Sequence, residues 1–160
     1  MKPPETGNNL VCISFTNIDG PAWQNSMTEA AYRTLGLLGI SNWELSINFC
    51  DDSFIRELNA GYRHKDSPTD VLSFSQSEQA DDFFPGNIDP EGRVIAGDIV
   101  ISVDTASRNA ARDNIMPEAE IRRLIVHGIL HLYGMDHDEN NEDMLILQEK
   151  LLNQIREGGI

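Results

Sequence analysis

The chain has 160 residues, 40% of them hydrophobic and 24% charged, and carries a net charge of −14. That suits one soluble domain with its own core and leaves too little chain for two. The acidic balance argues against non-specific nucleic-acid binding, the N-terminus has no apolar signal region, and no apolar run approaches a membrane span; a cytoplasmic location is expected.

Residues 1–9 read as a flexible lead-in, and 10–160 as a single domain. Leu10–Phe15 is a short apolar strand. Ser26-Met-Thr-Glu29 matches a capping box, so a helix is predicted to follow through Ala30, Ala31, Tyr32, Leu35 and Leu38, with Gly39 as its stop. Trp43, Leu45, Ile47 and Phe49 alternate strictly and predict a half-buried strand over 43–49. Asp51-Asp52-Ser53 caps a helix from about 52 to 61 with Phe54, Ile55 and Leu58 as its apolar positions. Thr69–Ser75 is a third strand. Residues 76–92 are polar and acidic, with Pro85, Gly86, Pro90 and Gly92, and form a long surface loop. Val94–Ser102 is a fourth strand, interrupted by Gly97. A helix is predicted from Thr105 to about Asn114. Pro117 opens the next helix at its first position, with Glu118 and Glu120 favourable in the first turn. A last helix, capped near Asn140–Asn141, carries Met144, Leu147, Leu151 and Ile155 on one side.

Cys12 and Cys50 lie in apolar alternating segments and read as buried core thiols, with no disulfide framework. Local cationic groups stand at Arg63/Lys65, Arg108/Arg112 and Arg122/Arg123, while acids cluster at 79–91 and 136–143. A local basic patch on an acidic protein can still hold a strand of nucleic acid.

The helix from Pro117 to Tyr133 is apolar nearly all round, through Leu124, Ile125, Val126, Ile129, Leu130 and Leu132, and is therefore expected to be buried. His127 and His131 occupy the remaining sector, and buried imidazoles need partners. Three of the four histidines, His127, His131 and His137, fall within eleven residues as H-x3-H-x5-H. Residues four apart share one helix face. Gly134 stops the helix, so the chain can turn and bring His137 to the same ion. Three neutral nitrogen ligands leave a tetrahedral position open, which is the catalytic zinc arrangement; nitrogen ligands also suit iron, copper and nickel.

The segment His127-Gly-Ile-Leu-His-Leu-Tyr-Gly-Met-Asp-His137 resembles the signature of the YbeY-type rRNA maturation factors, zinc-dependent bacterial endoribonucleases. Leu58-Asn-Ala-Gly-Tyr-Arg63-His-Lys-Asp-Ser-Pro-Thr-Asp-Val-Leu-Ser-Phe74 and Gly97-Asp-Ile-Val-Ile-Ser102 resemble two further blocks of that family, in the same order. The resemblance implies an α+β fold. About four strands form a small mixed sheet packed by about five helices, and the buried central helix carries the zinc-binding histidines. It implies cleavage of single-stranded RNA, formation of the 3′ end of small-subunit rRNA, and a role in ribosome quality control. The implied partners are rRNA and the ribosome or its proteins, with no membrane and no DNA. The implied metal ligands of one zinc per chain are His127, His131 and His137, and the implied catalytic residues are Arg63 and His127. His64 and Ser75 depart from a glycine and a proline common in the family, and Met135 from a tyrosine; His64 could add an imidazole near the cleft.

Zinc held by three neutral imidazoles keeps its double charge and can activate attack on a phosphodiester, with Arg63 pairing the phosphoryl oxygens as charge builds. Asp136 and Asp98 are candidate carboxylates for accepting a histidine N–H. Two other readings stand beside this one. A zinc peptidase is disfavoured because position 128, where a metalloprotease carries its glutamate base, is glycine. A ribosome-assembly binding factor without catalysis would instead need a metal closed by a fourth protein ligand.

Overall fold

The structure is a computed structural model, and it describes residues 7–76, 88–135 and 141–158. Alternating apolar residues build one four-stranded sheet from β1 (Leu10–Thr16), β2 (Trp43–Cys50), β3 (Val71–Ser75) and β4 (Val94–Ser102), in the order β1-β2-β4-β3. The pairs β1–β2 and β2–β4 are parallel, and β3 runs antiparallel to β4 at the edge. Five helices complete the order: α1 (Gln24–Leu37), α2 (Asp52–Arg63), α3 (Val103–Asp113), α4 (Pro117–Leu132) and α5 (Asn141–Gly158). The expected mixed sheet with five helices is the architecture found. No helix among the described residues is long and apolar enough to cross a membrane.

The sheet has two differently used faces, because successive side chains point opposite ways. Leu45, Ile47, Phe49, Ile99 and Ile101 face α1 and α4, meeting Met27, Ala31 and Leu35 on one helix and Ile121, Leu124, Ile125 and Ile129 on the other. Cys50, Leu72 and Val100 face the other way, onto Ile55 of α2. Behind α4, Val126 and Leu130 pack on Met144, Leu151, Leu152 and Ile155 of α5. Nine of the sixteen α4 residues are buried, so this helix is the centre of the fold. Each large aliphatic side chain it buries stabilises the fold by about 1.5–3 kcal/mol.

Gly97 is the interruption expected in the fourth strand. Its φ is +150°, and a Cβ there would run into the backbone oxygen of Phe74. Opposite it the register shifts, Glu44 pairing with Ile95 and Leu45 with Gly97, which leaves Ala96 as a bulge residue.

Two expectations change. The helix expected to begin at the Ser26–Glu29 box begins two residues earlier, at Gln24, and its cap position, Trp23, makes no side-chain cap hydrogen bond. Tertiary packing sets that start: the Trp23 ring stands edge-on to Phe49 at 4.9 Å, and Met27 N–H donates to the Trp23 carbonyl. Cys12 is exposed, because its neighbour Val11 takes the inward position of β1. Cys50 is buried as expected, and burial first, then the Asp51, Asp52 and Asp104 charges, push its thiol up to about 12. Of the predicted lead-in, residues 1–6 lie outside the described residues; Asn9 is buried, donating to the Ile40 carbonyl and accepting from Trp43 N–H. Most of the predicted acidic loop, 77–87, also lies outside them.

Candidate functional site

The C-terminal half of α4 carries His127 and His131 one helical turn apart, both half-buried. Their Nε2 atoms stand 3.2 Å apart, with ring centroids at 4.7 Å and planes at 75°. Two nitrogens bound at 2.0–2.1 Å to one tetrahedral ion lie about 3.3 Å apart. The spacing of the pair is therefore that of two ligands on one cation. Gly134, at φ +107°, turns the chain just past the helix, with its N–H donating to the His131 carbonyl. His137 and Asp136 lie outside the described residues. Among the described residues no three His, Cys, Asp or Glu side chains converge on one point.

A residue that the sequence did not single out stands behind the pair. Nδ1 of His127 is 2.9 Å from Oε1 of Gln148 on α5, and Gln148 is 1% exposed. The available signal was a glutamine interrupting the apolar stripe of Met144, Leu147, Leu151 and Ile155. Asp98 does not play this part. Its strand neighbours Gly97 and Ile99 face α4, so Asp98 faces the opposite side of the sheet, where its carboxylate accepts from Gln76 Nε2 at 3.5 Å.

Position 128 explains itself physically. A Cβ there would meet Ile99 at 2.8–3.0 Å, because α4 lies directly on β4 at this turn. A glutamate at 128 would point into the sheet, so this backbone offers no place for the peptidase base.

Arg63 closes α2. Asp51 caps the start of that helix, accepting from Phe54 N–H at 3.0 Å. At the other end His64 takes the left-handed conformation, φ +59°, a position that suits glycine. The turn that follows is pinned by Asn59, 4% exposed, whose carbonyl accepts from Lys65 N–H and whose amide donates to the Ser67 carbonyl at 2.9 Å. Arg63 is exposed and makes no ion pair among the described residues. Tyr62 beside it is 68% exposed, its ring edge-on to Phe74 at 5.1 Å.

Of the three expected cationic groups, Arg63/Lys65 is the one with neither member paired among the described residues. Arg108 is held by Asp52 at 2.7 Å, Arg112 by Asp113 at 3.1 Å and Arg123 by Glu120 at 2.6 Å. Tyr62, Phe74 and Asp98 also line a groove of about 500 Å³ over the α2 face of the sheet, with Ser14, Ser46 and Asn48 among its polar groups. Arg63 and the histidine pair thus sit on helices packed against opposite faces of the sheet. In the edge strand β3, Leu72 turns toward α2 and Val71 toward α4.

Residues 13–156 match the family described as Endoribonuclease YbeY. An Endoribonuclease YbeY of Treponema denticola is 46% identical over 156 residues, covering 93% of this chain and 95% of its own. One from Treponema pallidum is 41% identical over 153 residues, covering 91% and 89%. One from Aquifex aeolicus is 49% identical over 109 residues, covering 68% and 66%. Among solved structures, a Thermotoga maritima protein determined in solution superposes with a TM-score of 0.61 at 25% identity, covering 91% of this chain and 89% of its own.

Proposed function

The chain belongs to the YbeY endoribonuclease family and is an endoribonuclease acting on RNA, and on that premise we propose that it cuts single-stranded RNA at a zinc held by His127, His131 and His137. Its proposed task is forming the 3′ end of small-subunit rRNA and acting in ribosome quality control, with the ribosome or its proteins as partners in the cytoplasm. The observation that supports the metal assignment is the 3.2 Å separation of the His127 and His131 Nε2 atoms, the spacing of two ligands on one ion.

Zinc in such a site supplies a doubly charged Lewis acid beside the scissile phosphate. The protein's own groups do the rest. Neutral imidazoles hold the ion without cancelling its charge. Arg63 pairs in a fork with the non-bridging oxygens as charge grows on them. Tyr62 offers an exposed ring on which a splayed base stacks, which selects single strands over duplex.

No carboxylate base stands beside the histidines among the described residues, since position 128 is closed and Asp98 faces away. We take RNA's own 2′-hydroxyl as the nucleophile: its oxygen bonds to phosphorus as the P–O5′ bond breaks, leaving a 2′,3′-cyclic phosphate and a 5′-hydroxyl. End-group analysis of the products checks this: 2′,3′-cyclic phosphate ends agree, and 5′-phosphate with 3′-hydroxyl ends rule it out.

The test of the whole reading compares the native protein, the chelator-stripped protein and His137→Ala on a single-stranded oligoribonucleotide and on its duplex. Cleavage of the single strand alone, lost on stripping, restored by zinc and absent in His137→Ala, is the expected result. Cleavage that survives stripping would remove the metal from the mechanism. Zinc retention without any cleavage would favour a binding factor.

A further inference from the structure

We infer that Gln148 is a positioning residue for the metal site, its amide oxygen accepting the Nδ1–H of His127 so that Nε2 of that ring is left unprotonated toward the ion. The inference rests on the reading of His127 as a ligand, and it extends the site from α4 to α5.

Gln148 is 1% exposed and its amide oxygen lies 2.9 Å from Nδ1. A buried amide without partners is costly, so an apolar residue at this point of the stripe would pack more cheaply. What the glutamine supplies is a direction. A neutral imidazole carries one proton, and the hydrogen bond at one nitrogen decides which nitrogen is left to bind metal. With the oxygen toward Nδ1, the proton sits there and the Nε2 lone pair faces His131. With the amide nitrogen toward Nδ1, the proton would sit on Nε2, 3.2 Å from Nε2 of His131, where the ion must go.

The partner is also neutral. A carboxylate would orient the ring equally well but would add negative charge beside a metal whose task is to attract electrons from a phosphate. An amide fixes the tautomer and leaves the charge of the site unchanged. The segment that supplies it is held by apolar contact: Met144, Leu151, Leu152 and Ile155 seat α5 on Val126 and Leu130. The seating of α5 is thereby linked to metal affinity, across 21 residues of sequence.

The test uses the full chain with Gln148→Met, which keeps the length and removes the acceptor, and Gln148→Glu, which keeps the acceptor. Zinc affinity is measured by competition with a chromophoric chelator, the His127 tautomer by long-range proton–nitrogen NMR of the metal-free protein, and the fold by thermal melting. Gln148→Met is expected to bind zinc roughly 10- to 100-fold more weakly and to lose the pure Nδ1–H form. Gln148→Glu is expected to retain that form and near-native affinity. Native affinity in Gln148→Met, or a His127 that keeps its Nδ1–H form there, overturns the inference. Should Gln148→Met fail to fold, the native protein decides: an Nε2–H form of His127 overturns the inference, and an Nδ1–H form that persists in Gln148→Glu supports it. A native protein that binds no zinc would overturn the metal reading itself, while its His127 tautomer still judges the role of Gln148.

Discussion

At position 128 a side chain has nowhere to go, since three carbons of Ile99 stand 2.8–3.0 Å from where its Cβ would be. Gly128→Ala is expected to destabilise the fold by about 1–3 kcal/mol, the usual cost of overpacking. Urea denaturation reads it, and an unchanged midpoint would mean that α4 lies farther from β4 than described. Glu120 is fully buried and takes both bonds of the Arg123 fork, at 2.8 and 2.6 Å. Arg123→Ala leaves that carboxylate uncompensated and is expected to cost about 3–5 kcal/mol. Arg56→Ala removes a similar fork to Asp66, at 2.8 and 3.1 Å, but the pair is 54% and 73% exposed, and a much smaller loss is expected because solvent screens it. Equal losses in the two variants would contradict this ranking. Some of these roles were legible in the sequence and some were not. The i, i+4 spacing of His127 and His131 announces a shared face, and the structure puts their nitrogens together. Glu120 reads in sequence only as a favourable first-turn acid, because nothing local says that its side chain turns inward. Gln148 reads only as a flaw in an apolar stripe, because its partner is on another helix.

The joint between α2 and α3 is built around one carboxylate. Asp52 accepts from Ser102 Oγ at 2.7 Å, Thr105 Oγ1 at 2.6 Å and Arg108 at 2.7 Å. Burial alone would raise its pKa, but the hydrogen bonds from Thr105, Ser102 and Arg108 outweigh that and hold it below the ordinary carboxylate value. A depressed carboxylate adds stability above its unfolded value of about 3.9 and loses it as pH falls through the lower folded value. Asp52→Asn is therefore expected to lower stability at neutral pH and to flatten the decline below about pH 4. Urea midpoints across the acid range check this; a variant as steeply acid-sensitive as the native protein would contradict it. Element positions were largely legible, since alternation placed β2 and Pro117 placed the start of α4. The start of α1 was not, because Trp23 docks on Phe49 and so outranks the local capping signal at Ser26. The parity of β1 was misjudged at Cys12, where a run of apolar residues gives no phase.

For the whole molecule, the −14 net charge and an RNA substrate are reconciled, in the proposed reading, by confining the contact to a few cations. Arg108, Arg112 and Arg123 are tied up in ion pairs, and Arg63 with Lys65 stands apart from them. RNA binding is expected to weaken only modestly with salt, as befits a few phosphate contacts; a slope equivalent to about ten released ions would contradict a confined site. The sheet order β1-β2-β4-β3 was not legible, because pairing between distant strands leaves no periodic mark in the chain. It is that order which makes β3 an edge strand beside β4.

In the proposed reaction a histidine-held metal and Arg63 act together on one RNA strand. Its most direct test is zinc content and single-strand cleavage, measured side by side in the native protein and in Arg63→Ala. Retention of about one zinc per chain with cleavage lost only in the variant is the predicted result. Cleavage by Arg63→Ala at the native rate would contradict the claim and leave Arg63 a bystander at the end of α2.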